Sequence, residues 1–343
     1  LGNCLSTVRI VSGICVRPAN HNGSIDMAKR IIEEAKAAGA DAVKIQTYRP
    51  DTITFDDKGP DFQITDGLWA GRTLYDLYEE AHMPWEWHES LFDHARSNDI
   101  LMFSSPFDNT AIDLLEDLGA PAYKIASFEA VDLKLIQYAA STHKPLIIST
   151  GMADDEEIAE AVDAARAGGC TQLALLHCVS GYPAPSEDYN LRTITDMKQR
   201  FGVVAGLSDH TLNNTTAIAS VALGASIIEK HFTLDRHGDG PDDSFSLEPE
   251  GLMALCRDSK IAWKAMGRVD YGKKSSETAN VVFRRSLYFA KDMKQGDIIT
   301  ADMIRSVRPG YGLAPKYFDQ IIGNTMNQDV AKHNAVKWEY FDA

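Results

Sequence analysis

The chain of 343 residues is 44% hydrophobic and 24% charged, with 34 basic against 49 acidic side chains and a net charge of −15. That length suggests about two domains, each able to bury a core without a disulfide or metal staple. The acidic balance speaks against nucleic-acid phosphates or an anionic membrane surface as partners, and no apolar run approaches the roughly 20 residues of a membrane span.

In chain order, strand-like runs occur as VRIVSGICV, DAVKIQ, ILMFSS, AYKIAS, PLIIST, LALLHC, GVVAGLS and SIIEKHF. Amphipathic helical patterns separate most of them. Ser24 reads as the N-cap of a helix whose apolar stripe is Ile25, Ala28, Ile31, Ile32 and Ala35. Between the second and third strands, residues 47–98 are too long for one helix and two loops, and they carry eight aromatics from Tyr48 to Trp87. The plain expectation is that these rings pack the insertion against itself; the alternative is that some wall a pocket. Further on, Asp154 with Glu157 resembles a capping box.

Eight β-runs with intervening helices match the number that closes a (β/α)8 TIM barrel. A doubly wound open sheet is the competitor, but no GxGxxG follows the first strand. The barrel is expected over residues 1–270, a polar linker over 271–282, and a small β-rich domain over 283–343. The last 61 residues carry nine Lys/Arg against seven Asp/Glu, a charge of +2 beside −17 on the rest, which suggests docking between the two parts. Five cysteines (Cys4, Cys15, Cys170, Cys178, Cys256) at irregular spacings fit reduced thiols of a cytoplasmic protein better than a disulfide framework.

In a barrel the strand ends converge on one mouth. Lys44 and Gln46, Ser104 and Ser105, Lys124, Ser127 and Glu129, Ser149, Ser180 and Tyr182, Ser208, His210 and His231 all stand at or just beyond such ends. Two lysines with several hydroxyls suit a small dianion. His210 and His231, 21 residues apart on consecutive strands, can meet one divalent ion with open coordination positions; two ordinary buried histidines are the alternative. His177 reads as a packed structural histidine. Asp239, Asp242 and Asp243 form either a solvated loop face or a sugar-binding one. A Schiff-base aldolase with Lys124 as nucleophile and Glu129 or Tyr123 moving protons is also consistent with these residues, though the histidine pair argues against it.

The strings NHNGS, DAVKIQTY, FSSPFD, YKIASFE, IISTGM, GLSDHT, IIEKHFTLDR, GPDDSFSLEP, RRSLY and RPGYGLAPKY together resemble the sialic acid synthase family over nearly the whole chain. Through LWAGRTLYDLYEEAHMPWEWH, YKIASFE and CVSGYPAP the chain is most similar to the branch that makes pseudaminic acid, with the neuraminate and legionaminate branches as alternatives. The resemblance implies a TIM barrel followed by an antifreeze-like (SAF) domain in a domain-exchanged homodimer. It also implies condensation of phosphoenolpyruvate with an amino sugar, 2,4-diacetamido-2,4,6-trideoxy-altrose in that branch, with release of phosphate. Carried over by position, it puts Lys44, Ser105, Lys124, Ser127, Ser149 and Ser208 around phosphoenolpyruvate. His210 and His231 fall on a divalent ion, usually Mn2+, and Gln46, Glu129, Tyr182 and Asp242 on the shared pocket, with Glu129 the carboxylate expected to handle protons. Ser180 stands where neuraminate synthases often have Asn, and Arg308 matches an arginine that reaches the partner subunit's site. One departure is plain: where the family has an Ala-Glu pair before NHNG, this chain has Cys15 and Val16. The missing carboxylate leaves open a catalytically impaired relative that binds a sugar or a partner.

Overall fold

The structure, a computed structural model, describes residues 9–13 (backbone only), 23–67, 69–238 and 242–342. The chain divides into two compact units, Leu1–Gly267 and Arg268–Ala343.

The first unit is a closed barrel of eight parallel strands in sequential order. They are β1 (Arg9–Gly13), β2 (Ala42–Thr47), β3 (Leu101–Pro106), β4 (Tyr123–Ile125), β5 (Leu146–Ser149), β6 (Leu173–Cys178), β7 (Val204–Asp209) and β8 (Ile227–His231). Closure is made by β1 against β8, where Gly13 faces His231 and Val11 faces Glu229. Helices cover the outside. Ser24 caps the first of them, Ile25–Ala37, by accepting from the Met27 N–H, and the Asp154–Glu157 capping box opens Asp155–Ala167. Their apolar stripes pack on the outward residues of the strands, such as Val43, Ile45, Ile125 and Ile148.

Inside the barrel, a second cluster of Ala42, Phe103, Ile147, Ala174, Leu176 and Ile227 plugs the end where the strands begin. Packing there is tight enough to need a glycine on β7. A Cβ on Gly206 would stand 2.4 Å from the Ile227 carbonyl oxygen and 2.6 Å from Leu176 Cδ2. Since side chains alternate along a strand, the residues two and four places beyond the plug also point inward. Ala42 is followed by Lys44 and Gln46, Phe103 by Ser105, Ile147 by Ser149, and Ile227 by Glu229 and His231. The same phase turns Ser104 and Tyr123 outward. Ser104 Oγ lies 2.6 Å from Thr47 Oγ1, and Tyr123 donates to Glu116. Neither reaches the mouth, which removes Tyr123 as a proton carrier for Lys124.

The insertion between β2 and β3 does both things considered for it. Phe55 and Phe62 pack edge to face at 6.2 Å within the insertion, while Tyr48, Trp69 and Tyr78 line the cleft at the barrel mouth. The end of the insertion is tied down by His88, whose Nδ1 bonds the Pro84 carbonyl at 3.1 Å and whose Nε2 bonds Thr47 Oγ1 at 2.9 Å.

The second unit holds an antiparallel pair, β9 (Ser286–Phe289) and β10 (Ile304–Val307). Its own core is built around Leu287, Phe289, Ile304, Ile321, Met326 and Val336. The stretch expected as a polar linker forms an exposed 3-10 helix, Ser275–Phe283. No helix among the described residues is long and apolar enough to cross a membrane.

Candidate active site

A cleft partly open to solvent occupies the C-terminal mouth of the barrel. Lys44, Gln46, Lys124, Ser127, Glu129, Ser149, Tyr182, Ser208, His210, His231 and Asp242 line it. The expected site residues from six of the eight strands and their following loops thus meet in one place. Ser105 is fully buried on the inner face of β3, its Oγ without a hydrogen-bond partner among the described residues.

The floor is a charge cluster. Glu229 receives Lys124 Nζ at 2.8 and 3.0 Å, Lys44 Nζ at 3.2 Å and the Ser208 hydroxyl at 3.2 Å. All three charged groups are nearly inaccessible. Burial alone would raise the Glu229 carboxyl, but the two ammonium groups outweigh it and hold it well below the usual carboxylate range. Burial, reinforced by repulsion from Lys44, pulls Lys124 below the ordinary lysine range despite the attraction of Glu229. Among the described residues two ammonium groups contact one carboxylate, an arrangement suited to a small anion. Sequence reasoning missed Glu229. The signal was its place two residues before His231, which fixes it on the same inner face.

Beside the floor lies a hydroxyl cradle. Ser149 and Ser180 carry buried Oγ atoms without a hydrogen-bond partner among the described residues. The Gly151 N–H donates to Ser127 Oγ at 3.2 Å. A Cβ on Gly151 would stand 2.2 Å from Ser180 Oγ and 2.8 Å from Ser127 Oγ, so the absence of a side chain there lets main chain and serines close on the same point.

The opposite end carries the imidazoles, with ring centroids of His210 and His231 5.1 Å apart. Loop 179–189 braces His210 from three directions. Its Nδ1 is 2.7 Å from the Val179 carbonyl, its main-chain N–H donates to the Tyr189 hydroxyl at 2.7 Å, and its carbonyl accepts from the Ala184 N–H at 3.1 Å. A carbonyl can only accept, so Nδ1 carries the proton and Nε2 is the nitrogen left for a ligand. The Tyr182 ring covers His210 at 4.4 Å and meets Trp69 of the insertion at 6.3 Å. His231 Nδ1 lies 3.5 Å from Asp242 Oδ2, a carboxylate only 1% exposed. Among the described residues no three His, Cys, Asp or Glu side chains are gathered as a ready metal site. Two imidazole nitrogens fit a divalent ion that keeps water or substrate in its other positions. His177 faces away from the cleft and bonds the Tyr189 carbonyl, as a packed structural histidine should.

Arg308 belongs to the second unit, where it is exposed beside Arg305, Pro309 and His333. Val16, Asp239, Cys4 and Cys15 lie outside the described residues.

A parallel eight-stranded barrel with a buried anion floor and an imidazole pair at its C-terminal mouth is the framework of an enzyme acting on a small anionic substrate. The chain belongs to the NeuB family, whose pattern matches residues 31–271, and an SAF domain follows at residues 284–341. It is 42% identical to the pseudaminic acid synthase of Campylobacter jejuni subsp. jejuni serotype O:23/36 (strain 81-176), over 98% of each chain. To the N,N'-diacetyllegionaminic acid synthase of Campylobacter jejuni subsp. jejuni serotype O:2 it is 34% identical, over 93% of this chain and 96% of that one. The N-acetylneuraminic acid synthetase of Leptospira borgpetersenii serovar Hardjo-bovis, solved with citrate, superposes with a TM-score of 0.71 at 30% identity, over 80% of this chain and 90% of that one.

Proposed function

We propose that the protein acts as a pseudaminic acid synthase, condensing phosphoenolpyruvate with 2,4-diacetamido-2,4,6-trideoxy-altrose and releasing phosphate. The observation that carries this reading is the floor on which Lys44 and Lys124 share the single carboxylate of Glu229. It gathers two ammonium groups at the depth where a phosphate or carboxylate would sit, with the serine cradle beside it. The likeness to the Campylobacter jejuni pseudaminic acid synthase, higher than to the legionaminic enzyme, favours the altrose-configured sugar.

Lys44, Lys124, Ser105, Ser127, Ser149, Ser180 and Ser208 hold phosphoenolpyruvate with its C3 toward the sugar. His210 and His231 hold a divalent ion, Mn2+ in this reading, which when bound supplies Lewis-acid polarisation of the sugar aldehyde. C3 forms the new bond to the aldehyde carbon, the C2 centre takes up water, and the adduct expels phosphate. Gln46, Tyr182 and Asp242 orient the sugar. Glu129, in the turn Ser127–Glu129 after β4, handles the proton on the attacking water or the new hydroxyl. Arg308 completes the cleft of a second copy in a domain-exchanged homodimer, and the reaction takes place in the cytoplasm, where phosphoenolpyruvate is made.

The test is phosphate release from phosphoenolpyruvate with a panel of amino sugars that includes the neuraminate and legionaminate precursors, before and after chelation and with Mn2+ restored. Release confined to the altrose sugar and dependent on the ion is expected. Full turnover after exhaustive chelation would revive the Schiff-base chemistry at Lys124. Binding without turnover on any sugar would mark an impaired relative.

A further inference from the structure

β7 and β8 end in the same pattern, a charged residue followed by a histidine: Asp209–His210 and Lys230–His231. The imidazoles enter the cleft, so alternation sends Asp209 and Lys230 to the opposite side of the sheet. There they are register partners across the two strands. The ammonium stands 2.7 Å from Asp209 Oδ2, with side-chain exposures of 1% and 0%. Lys230 Nζ also donates to the carbonyls of Thr211 and Asn213, the latter at 2.9 Å. Asp209 in turn accepts the Thr211 N–H at 2.9 Å and the Thr211 hydroxyl at 3.1 Å. Neither residue lines the cleft.

Stability alone is a poor reason for burying such a pair, because an apolar pair of similar volume is often neutral or better. Direction is what the ions add. A short contact plus several acceptors fixes how the two strand ends sit against each other and the path of the turn that leaves His210. We propose that the Asp209–Lys230 ion pair is a positioning device that sets the separation of the His210 and His231 rings, and through it the affinity of the imidazole end for a divalent ion. The inference rests on the metal reading of the proposed function.

The experiment compares Mn2+ binding, followed by the electron paramagnetic resonance of the free ion, in the full-length protein and the double variant D209L/K230M. Thermal unfolding and metal-free phosphoenolpyruvate affinity are measured alongside. The double variant is expected to unfold near the wild-type temperature and to bind Mn2+ about 10–100-fold more weakly. Phosphoenolpyruvate affinity should change less than about twofold, since Lys44 and Lys124 are untouched. A merely structural role would move stability without separating the two affinities. A folded double variant with wild-type Mn2+ affinity overturns the inference while leaving the metal reading intact. No Mn2+ binding by the wild-type protein overturns both. If the double variant fails to fold, Asp209→Asn keeps the size and an acceptor for the Thr211 N–H while removing the charge. Weaker Mn2+ binding by that variant supports the inference and unchanged binding overturns it.

Discussion

Replacing Glu229 by Gln keeps the shape of the side chain and removes the negative charge that Lys44 and Lys124 both contact. The contacts at stake are those at 3.2, 2.8 and 3.0 Å, all buried. Breaking a buried ion pair typically costs about 3–5 kcal/mol. Here Lys124, already pulled below its ordinary range by burial, can shed its proton and recover part of that cost, so about 3 kcal/mol is expected. For a unit of this size each kcal/mol moves the unfolding temperature by about 2–4 °C, giving a fall of about 6–12 °C. If phosphoenolpyruvate binds on this floor, as proposed, it supplies replacement negative charge at the same spot. The thermal shift on saturating it, without metal, should therefore be larger for Glu229→Gln than for the wild-type chain. An unchanged unfolding temperature, or an equal shift with ligand, would refute the charge-sharing account of the floor.

Other consequences can be checked separately. His88 is held neutral because burial pulls its pKa from 6.5 down to about 4. The unfolded chain binds that proton at higher pH, so stability should fall by about 3 kcal/mol as pH drops from about 6.5 to about 4. Denaturant titrations at several pH values should show a flatter slope for His88→Gln, and identical slopes would exclude His88 as the source. Tyr189→Phe removes the hydroxyl that accepts the His210 N–H, and turnover at limiting Mn2+ should drop several-fold while turnover at saturating Mn2+ changes little; equal losses at both would show that the brace does not act through the ion. Val16→Glu should raise kcat at least about tenfold on the correct sugar if the family carboxylate acts in proton transfer, and equal rates would show it to be dispensable. Mixing Lys124→Ala with Arg308→Ala under subunit exchange should restore part of the activity if Arg308 acts in trans, and no recovery with heterodimers present would count against it.

The barrel was legible because eight apolar runs, each followed by a polar strand end, leave few alternatives, and the same strand ends supplied most of the cleft. Phase was harder to read. Ser104 and Ser105 look equivalent in FSSPFD, as do Glu229 and Lys230 in IIEKHF, until the phase of the strand is anchored on a residue of known direction. Anchoring the phase on His231 would have put Glu229 inside and Lys230 outside from the sequence alone. The braces on His210 were out of reach for a different reason. Val179, Ala184 and Tyr189 come from a loop without periodicity, 21 to 31 residues away in sequence, and only the folded chain brings them together. In the long insertion, local pattern likewise gave no way to separate the ring pair Phe55–Phe62 from the cleft rings Tyr48, Trp69 and Tyr78.

The apolar plug of Phe103, Ile147, Leu176 and Ile227 makes the barrel a blind well. Among the described residues the lysine floor lies at the far end of the cleft from its rim: Lys44 and Lys124 are 2% and 1% exposed, whereas Phe128 at the rim is 53% exposed. Geometry of this kind imposes a queue. If phosphoenolpyruvate binds on that floor and the sugar against Tyr182 and Trp69, as proposed, phosphoenolpyruvate enters first, and the phosphate left at the bottom departs only after the nine-carbon acid has cleared the mouth. Inorganic phosphate should accordingly compete with phosphoenolpyruvate alone, and the sugar should trap phosphoenolpyruvate that is already bound.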